Sequence, residues 1–457
     1  MHNIVLIAID TQRPDHLGCY GYDRPTSPRL DAFAAAGATF EALWSASNFT
    51  APAFTSLFTG QYPNHHGVFN FQSRAESSPV SDCLKANGVR MGGAVAFRFF
   101  NRLLGRVWSE VEAVTDTRSF NYDKRLPAAV SDAGIEWLQA HGHEGPFALF
   151  LHFDGPHMPY RLPDEHAHRF GDVSAADVPA DIVDMLFPQH LEVVEQGHAR
   201  RGGGMFALTE AVDRGRRRLD DTTLQWMVDR YDDSVFYNDQ QVGRVFDAIE
   251  DLNLADDTVV CVISDHGEEL MGHGHLSNAG IHLYDDVIRT VGLVRGPGLP
   301  AGRRIARPTS HVQLWPWLLR LAGADHLPTT WQVLDLLNES LTSPVFCVGE
   351  FKAAVRCGDH KLIRRRIIPQ HGLVKKLRLW AKMALLRELG DELFDMAADP
   401  AETMNLASER SLRDRMRRLL DEHLASPVAA IGLSTAADLD AAEKARIEKE
   451  MKDLGYM

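Results

Sequence analysis

Three short apolar runs stand out along the chain, and each is followed directly by polar or acidic residues. They are contained in NIVLIAID from Asn3, FALFLHFD from Phe147 and TVVCVISDHG from Thr258. Continuous apolar runs of this length are typical of strands buried on both faces, as in a parallel sheet covered by helices. We therefore expect these runs to form strands of one such sheet.

Segments with helical periodicity lie between the apolar runs, among them SPRLDAFAAAG and the stretch from Asp232 to Leu252. This alternation predicts an α/β fold in which a large sheet is sandwiched by helices. Functional side chains of such sheets gather at the carboxyl ends of the strands. Asp10, Asp154 and the adjacent pair Asp265 and His266 all follow a predicted strand directly.

The order of these patterns divides the chain into two predicted parts. Residues 1–343 are predicted to form the main catalytic domain, and residues 344–457 a smaller C-terminal α+β subdomain. A polar, glycine-bearing and highly charged segment at about 190–221 is predicted to be an insertion, which is either a solvated excursion or a lid.

Composition limits the partners and the compartment. The formal net charge of -14 disfavours binding to nucleic acid, so no nucleic-acid partner is expected. The five cysteines are scattered without a CxxC spacing, which argues against a disulfide framework or a thiolate zinc site. The start of the chain resembles a strand rather than a signal peptide, and no apolar stretch reaches the roughly 18 residues of a membrane span. The prediction is a cytoplasmic protein.

Two carboxylates and one imidazole at the strand ends suggest a metal site. Asp10, Asp265 and His266 would together supply two hard oxygen ligands and one nitrogen ligand to a divalent cation. A single acidic residue at a strand end is more often structural or solvated. The SDHGEE sequence is more specific, because adjacent Asp and His side chains after a buried strand can both point into one crevice.

Four ordered motifs resemble the sulfatase branch of the alkaline-phosphatase superfamily. They are IAIDTQRPDHLGCYGY, NFTAPAFTSLFTGQYPNHHGV, FLHFDGPHMPY and TVVCVISDHGEELMGHG. The similarity continues through GLVRGPG to VRCGDHKLIRR and ELFDMAADPAETMNLA, so it covers nearly the whole chain. The resemblance implies an alkaline-phosphatase-like fold and a metal-dependent ester hydrolase that acts on a small anionic ester.

The resemblance also implies roles for particular residues. Asp10, Thr50, Asp265 and His266 fall at the metal ligands, and Thr50 falls at the attacking nucleophile. Many sulfatases carry a second acidic residue where this chain has Thr11. One divalent ion is therefore expected, with manganese or zinc favoured and magnesium or calcium as the alternatives.

Thr50 is also where the chain departs from the best-known sulfatases, whose nucleophile is a formylglycine made from Cys or Ser in a Cys/Ser-x-Pro-x-Arg signature. The methyl group on the β-carbon of threonine forbids that aldehyde. Phe54 replaces the arginine of the signature, and Asn278 stands where sulfatases commonly carry a lysine. Threonine nucleophiles of this superfamily occur in phosphodiesterases, phosphonate monoester hydrolases and phospho-group transferases.

These departures favour cleavage of a phosphate or phosphonate ester over three alternatives. The alternatives are a sulfatase without formylglycine, a phospho-group transferase and a catalytically silent binding protein. A purely structural role for Thr50, as the cap of a helix starting near Pro52, is also open.

Other polar residues are assigned through the same resemblance. His157 and His273 are the candidates to protonate the leaving oxygen, and Asn70 and Asn278 are expected to contact the substrate. A second metal would require Asp154 and His157 together with His273 or His311, and one ion is the preferred prediction.

A basic segment of about 364–390 has no counterpart in the family pattern. From His360 to Arg387 there are nine Lys or Arg and no acidic residue, and apolar residues recur there at helical spacing. Residues 372–388 are predicted to form a basic amphipathic helix that packs on its own domain, forms a homo-oligomer interface or lies on an anionic membrane surface.

Overall fold

A computed structural model provides the fold of the chain. It describes residues 1–71, 73–96, 108, 111–113, 126–158, 160, 162–186, 208–209, 211–213, 215–276, 281–329, 331–366, 390–426 and 433–434. Asn278 and the whole predicted basic helix 372–388 lie outside the described residues, as does most of the predicted insertion 190–221.

The strands are numbered in chain order. They are β1 (Asn3–Ile9), β2 (Ala38–Phe40), β3 (Leu43–Trp44), β4 (Arg74–Ala75), β5 (Arg90–Val95), β6 (Val111–Ala113), β7 (Phe147–Phe153), β8 (Thr258–Ser264), β9 (Arg289–Thr290), β10 (Gly292–Arg295), β11 (Arg303–Ile305), β12 (Thr309–Ser310), β13 (Val345–Val348), β14 (Lys352–Cys357), β15 (His360–Arg365), β16 (Glu392–Asp395) and β17 (Leu433–Ser434).

The α-helices are identified by their ranges. They are Pro28–Ala35, Thr50–Thr59, Pro63–His66, Pro79–Ala86, Leu126–His141, Ala180–Leu186, Asp221–Asp251, Asp285–Ile288, Leu314–Leu321 and Arg410–Ala425. Short 3-10 turns lie at Pro14–His16, Gly18–Tyr20, Asp164–His166, Ala175–Asp177, Ala255–Asp257 and His311–Gln313.

One sheet of eight strands forms the centre of the fold, in the order β11-β2-β10-β8-β1-β7-β5-β6. The adjacent strands β8, β1, β7, β5 and β6 run parallel to one another, whereas β10 is antiparallel to both of its neighbours, β8 and β2. The three strands predicted from the apolar runs are therefore confirmed as adjacent parallel strands. Ile9 pairs with Phe153 on one side and with Ser264 on the other, so the residue after each strand emerges at the same edge.

Helices cover both faces of this sheet. Val5, Ile7 and Ile9 of β1 belong to the apolar core that includes residues of the long helix Asp221–Asp251, and Ile4, Leu6 and Ala8 belong to the core on the other face. Alternate residues of one strand thus pack into different cores, which explains why the whole strand is apolar. The predicted sandwich of a large sheet between helices is confirmed.

The long helix begins earlier than its sequence pattern indicated. The predicted segment started at Asp232, whereas the helix begins at Asp221, where the Asp220 carboxylate accepts a hydrogen bond from the Thr223 amide. Such a side-chain cap satisfies an amide at the helix start that has no partner within the helix. The helix end, at Asp251, lies within one residue of the expected position.

A separate antiparallel sheet of four strands, β13-β14-β15-β16, follows in the C-terminal part. One face packs against the Arg410–Ala425 helix through Met416 and Leu420. Ile363 and other residues of the opposite face share a core with Trp44 and Ile288 of the preceding part. The smaller α+β unit is confirmed as an architecture, while the boundary at residue 343 stays a prediction. Within the described residues, every helix is too short or too polar to cross a membrane.

Candidate metal centre and active site

The shared edge of the central parallel strands carries the predicted metal ligands. Asp10 follows β1, and its amide donates a hydrogen bond to the Phe153 carbonyl at 2.9 Å. One ligand atom from each of Asp10, Asp265 and His266 lies within 4.8 Å of the others, and all three residues are buried. The structure therefore brings together the residues that the sequence motifs predicted to share an ion.

Backbone amides hold the Asp265 carboxylate in a fixed orientation. Its Oδ1 accepts hydrogen bonds from the amides of Thr11 at 3.1 Å and of His266 at 2.8 Å. Thr11 has a φ of 53°, in the left-handed region that a β-branched residue rarely adopts and that costs about 1–3 kcal/mol. The Tyr231 hydroxyl donates to the Thr11 carbonyl at 2.8 Å and helps to maintain this turn.

His266 faces Thr50 through a defined ring nitrogen. Its Nδ1 lies 2.9 Å from the Gly267 carbonyl, which can only accept, so Nδ1 carries the proton and Nε2 carries the lone pair. Nε2 is 3.1 Å from the Thr50 Oγ1. The hydroxyl of the predicted nucleophile is therefore in contact with the metal-binding cluster, in a site where Thr50 is 4% exposed.

The electrostatics of the centre favour a cation. Burial raises the pKa of the Asp10 carboxyl well above its ordinary value, the Asp265 and Asp154 carboxylates raise it further, and His266 lowers it. His152, on β7, lies with its Nε2 3.4 Å from Asp10 Oδ2, and burial lowers the pKa of His152 to about 4. A neutral His152 does not neutralise these carboxylates, whereas a bound cation would favour their charged form.

Two buried carboxylate oxygens identify where that cation would bind. Asp10 Oδ1 and Asp265 Oδ2 are buried and accept no hydrogen bond from the residues that the structure describes, although buried carboxylates normally have partners. The residues thus fit a divalent ion held by Asp10, Asp265 and His266, with the Thr50 hydroxyl as a further oxygen donor. The preference for manganese or zinc stays a prediction.

A network of polar residues, most of them buried, contacts the residues of the metal centre. The Arg13 guanidinium donates to Asp15 through Nε at 3.0 Å and through a terminal nitrogen at 2.6 Å, and it also reaches the Glu268 carbonyl at 3.1 Å. The Tyr160 hydroxyl donates to the Glu268 carboxylate at 3.3 Å, and burial raises the pKa of Glu268 to about 8. Sequence reasoning missed these supporting roles, although Arg13 and Glu268 lie inside the DTQRPDH and SDHGEE motifs.

Thr50 does not cap its helix. It is the first helical residue of Thr50–Thr59, and the preceding Phe49 occupies the cap position without a side-chain hydrogen bond. The purely structural role considered for Thr50 therefore lacks the expected geometry. Phe54 is fully buried and packs on Phe150 and His152, so it points into the core rather than replacing a substrate-binding arginine.

The other described residues that were predicted to belong to the site each take part in a hydrogen bond with the backbone. His157 Nδ1 hydrogen-bonds the Met158 carbonyl, and the Asn70 carbonyl accepts from the Ser73 amide at 3.4 Å. His273 Nε2 hydrogen-bonds the Ala401 carbonyl at 3.1 Å. Burial alone would lower the pKa of His273, but its neighbour Asp286 outweighs burial and the net shift is upward. The catalytic and substrate-binding roles of these three residues stay predictions.

The arrangement considered for a second ion is not assembled in the described part of the chain. Two residue groups there have metal-binding geometry, and neither contains Asp154, His157, His273 or His311. His311 Nε2 instead contacts the Thr290 hydroxyl at 3.0 Å. One of these two groups is the Asp10, Asp265 and His266 cluster. The other consists of Asp213, His275 and His282, which lie outside the sequence motifs quoted above.

Fold and site together define an ester hydrolase of the alkaline-phosphatase superfamily. The model of the family described as Sulfatase matches residues 2–324, and the chain belongs to that family. The uncharacterized sulfatase YidJ of Escherichia coli (strain K12) is 23% identical to this chain, over 92% of this chain and 86% of YidJ.

Solved structures show the same fold. The putative sulfatase yidJ from Bacteroides fragilis has a TM-score of 0.66 at 20% identity, covering 93% of this chain and 96% of that one. The phosphonate monoester hydrolase of Agrobacterium radiobacter has a TM-score of 0.64 at 17% identity, covering 95% of this chain and 99% of that one. Taken together, the relatives favour the sulfate-ester alternative over the preferred phosphorus-ester prediction.

Proposed function

We propose that this chain is a metal-dependent hydrolase of a small sulfate ester that uses the Thr50 hydroxyl directly as its nucleophile. The contact of 3.1 Å between Thr50 Oγ1 and His266 Nε2, at the buried carboxylate cluster, carries the proposal. Membership of the sulfatase family supports sulfate as the first substrate class.

A phosphate or phosphonate ester is the second candidate, and Thr50 is the observation that favours it. A threonine cannot become formylglycine, so the intermediate must be an ordinary ester on Oγ1. A phosphorylated threonine can be resolved by attack of water on phosphorus. The likeness of the fold to a phosphonate monoester hydrolase is compatible with this candidate.

The residues of the site have separate parts in the proposed chemistry. A bound divalent cation would lower the pKa of the Thr50 hydroxyl and offset negative charge on the ester. Asp10, Asp265 and His266 would hold that cation, and the Thr11 and His266 amides keep Asp265 oriented toward it. Burial keeps bulk water away from the site, which strengthens the electrostatic interactions inside it.

The proposed reaction has two balanced steps. Thr50 Oγ1 forms a bond to sulfur or phosphorus, the bond from that atom to the leaving oxygen breaks, and the released alcohol gains the proton lost by Thr50. Water then attacks the same sulfur or phosphorus atom, and one of its protons regenerates the Thr50 hydroxyl. The acid product is released as sulfate, phosphate, a phosphate monoester or a phosphonate, according to the ester. We assign to His157 the relay of the proton in the first step: its ring donates a proton to the leaving oxygen and is reprotonated by the proton from Thr50.

The test uses the full chain, stripped of metal and reloaded with manganese or with zinc. Matched aryl sulfates, phosphate monoesters, phosphodiesters and phosphonate monoesters, all with the same leaving group, would be assayed with wild type, Thr50→Ser and Thr50→Ala. We expect metal-dependent turnover that Thr50→Ser partly retains and that Thr50→Ala lowers by at least about 10³-fold.

Each outcome of this assay discriminates between the candidates. Highest kcat/KM on sulfates would support the first candidate, whereas turnover confined to phosphorus esters would replace it with the second. Equal activity of wild type and Thr50→Ala would exclude Thr50 as the nucleophile. Absence of turnover on every ester would reject both hydrolase candidates in favour of the silent binding protein.

A further inference from the structure

A second group of potential ligands lies outside the centre described above. It consists of Asp213, His275 and His282, and one ligand atom from each lies within 4.8 Å of the others. Asp213 Oδ1 is 3.6 Å from His275 Nδ1. The two imidazole rings are stacked, with their centroids 3.7 Å apart and their planes inclined by 19°. We call this group the loop cluster.

Backbone contacts hold the three residues of the loop cluster in place. The Leu276 amide donates to Asp213 Oδ1 at 3.0 Å, which fixes the carboxylate next to His275. The His275 carbonyl accepts from the Met271 amide at 2.9 Å, which closes a tight loop around Gly274. The His282 carbonyl accepts from the Asn48 side chain at 2.9 Å. Asp213 and His282 are thus tied to other segments of the chain, and His275 is held within its own loop.

The separation between Asp213 and His275 agrees better with shared coordination than with a direct hydrogen bond. A separation of 3.6 Å is too long for a hydrogen bond between these atoms. Two ligands of a tetrahedral zinc ion, with bonds of about 2.0–2.1 Å, are separated by roughly 3.3–3.4 Å. A small closing movement would therefore bring this pair of atoms to the ligand spacing of a zinc ion, and the stacked His275 and His282 rings would rotate apart for both to bind it.

The ligand types select the class of ion. Two imidazoles and one carboxylate suit zinc and related transition-metal ions, whereas magnesium and calcium prefer oxygen ligands. Three protein ligands also leave a coordination position for water or an anion, in contrast to closed structural sites with four. Asp213 has no ion pair with a Lys or Arg among the described residues, so its charge is available to a cation.

We propose that the loop cluster Asp213, His275 and His282 binds one zinc-class divalent ion, separate from the ion of the Thr50 centre. The two sites share no ligand. Asp213 lies within the predicted insertion 190–221, and His282 is linked to Asn48, two residues before Thr50. An ion here would fasten the segment 211–213 to the loop that follows the Asp265 and His266 ligands.

Cobalt provides a direct test, because its visible spectrum reports the coordination of each ion. The metal-free full-length protein would be titrated with Co²⁺, and the metal content measured after gel filtration. We expect about two ions per chain in wild type and about one in either Asp265→Asn or His275→Ala. The spectra lost in these two variants should differ, since their ligand sets differ.

Two further variants control for indirect effects. Asp213→Asn keeps an acceptor for the Leu276 amide but removes the carboxylate charge, and it should also lose about one ion. His273→Ala is the control for the same loop. The His273 ring lies outside the cluster and stacks on Tyr284, with the ring centroids 3.7 Å apart, so this variant should keep the wild-type metal content. Circular dichroism of the metal-free variants would verify that each is folded.

The outcomes separate this proposal from the function assigned to Thr50. Loss of one ion in folded His275→Ala and Asp213→Asn, but not in His273→Ala, supports the loop cluster even if no ester is cleaved. Unchanged metal content and spectrum in both ligand variants would overturn it. A single wild-type ion that Asp265→Asn abolishes would also overturn it.

Discussion

The two candidate metal sites are built in different ways. In the Thr50 centre, Asp10, Asp265 and His266 follow parallel strands whose register places them at one edge of the sheet. In the loop cluster, Asp213 belongs to a short helical segment and His275 to an irregular one, and both are partly exposed. The first site follows directly from the pairing of the strands, whereas the second depends on the path of separate segments between the regular elements.

This difference determines how each site should respond to change. The ligands of the Thr50 centre are 0–5% exposed and are supported by several buried hydrogen bonds, so a lost ligand there leaves polar groups unsatisfied. In the loop cluster, Asp213 and His275 are partly exposed and only His282 is buried, so water can reach more of the groups that a lost ligand leaves behind. The predictions below test this contrast, from the largest expected effect to the smallest.

Removing a charge from the Thr50 centre should have the largest effect. Asp265→Asn weakens one metal ligand, and we expect kcat/KM on the best ester substrate to fall by at least about 10³-fold at fixed metal concentration. Asp257→Asn is the matched control, because Asp257 precedes the same strand at its opposite end and its side chain is 80% exposed. Asp257→Asn should behave as wild type, and equal losses in the two variants would contradict a site confined to the carboxyl edge.

Restoring the sulfatase arginine should damage the fold rather than improve the activity. Phe54→Arg would bury a guanidinium among Phe58, Phe150 and His152, and we expect the free energy of unfolding to fall by about 3–5 kcal/mol or more. Chemical denaturation of Phe54→Arg and of the apolar control Phe54→Leu would measure this. A stable Phe54→Arg variant with raised sulfatase activity would show that position 54 can face the substrate, contrary to the packing.

The same contrast explains which features could be predicted from the sequence. The three apolar runs predicted strands β1, β7 and β8. Because the carboxyl ends of parallel strands meet at one edge of a sheet, these strands also predicted that Asp10, Asp265 and His266 lie close together. Propensity and periodicity missed the start of the helix at Asp221, because that boundary depends on the capping contact of Asp220. The pattern gives faces and edges of regular elements but not long-range side-chain contacts.

The loop cluster and the buried support of the centre were beyond sequence reasoning for this reason. Nothing in the sequence marks His275 as a ligand, since its proximity to Asp213 depends on the turn around Gly274. The contact of Tyr231 with Thr11 could not be predicted either, because the periodicity of a long amphipathic helix does not indicate which loop a given residue contacts. The preference for phosphorus followed from Thr50, and the relatives of the chain favour sulfate instead.

Loss of the Tyr231 hydroxyl should have a moderate effect confined to the Thr50 centre. The hydroxyl donates to the Thr11 carbonyl at 2.8 Å and accepts from the Arg13 amide at 2.9 Å. Tyr231→Phe should therefore loosen the turn that orients Asp265 and weaken metal affinity by about 10- to 100-fold. Competition with a metal-binding dye would measure both sites, and the loop cluster should keep its affinity. Equal weakening of the two sites would mean that Tyr231 acts through general stability.

Acid should produce the smallest effect, through the helix that carries Thr50. His66 is 1% exposed, and burial lowers its pKa to about 3, with a smaller contribution from His65. The Val68 amide donates to His66 Nδ1 at 3.1 Å, so the proton lies on Nε2, which contacts Ser56 Oγ at 2.9 Å. Protonation would place a second donor against the Val68 amide. Because the folded-state pKa is lowered, the neutral ring contributes stability above the unfolded-state pKa of about 6.5, and this contribution is lost as the pH falls toward 3.

The measurement is the free energy of unfolding from urea denaturation at pH 7.5 and pH 5.5. The loss between these two values should be about 1 kcal/mol smaller in His66→Asn, which keeps an acceptor for the Val68 amide but cannot titrate in this range. His2→Asn is the control, because the His2 side chain is 38% exposed and lies away from the Thr50 helix. If His66→Asn lost as much stability in acid as wild type and His2→Asn, His66 would not account for acid sensitivity near the Thr50 centre. The contrast between the buried Thr50 centre and the more exposed loop cluster would then rest on their metal ligands alone.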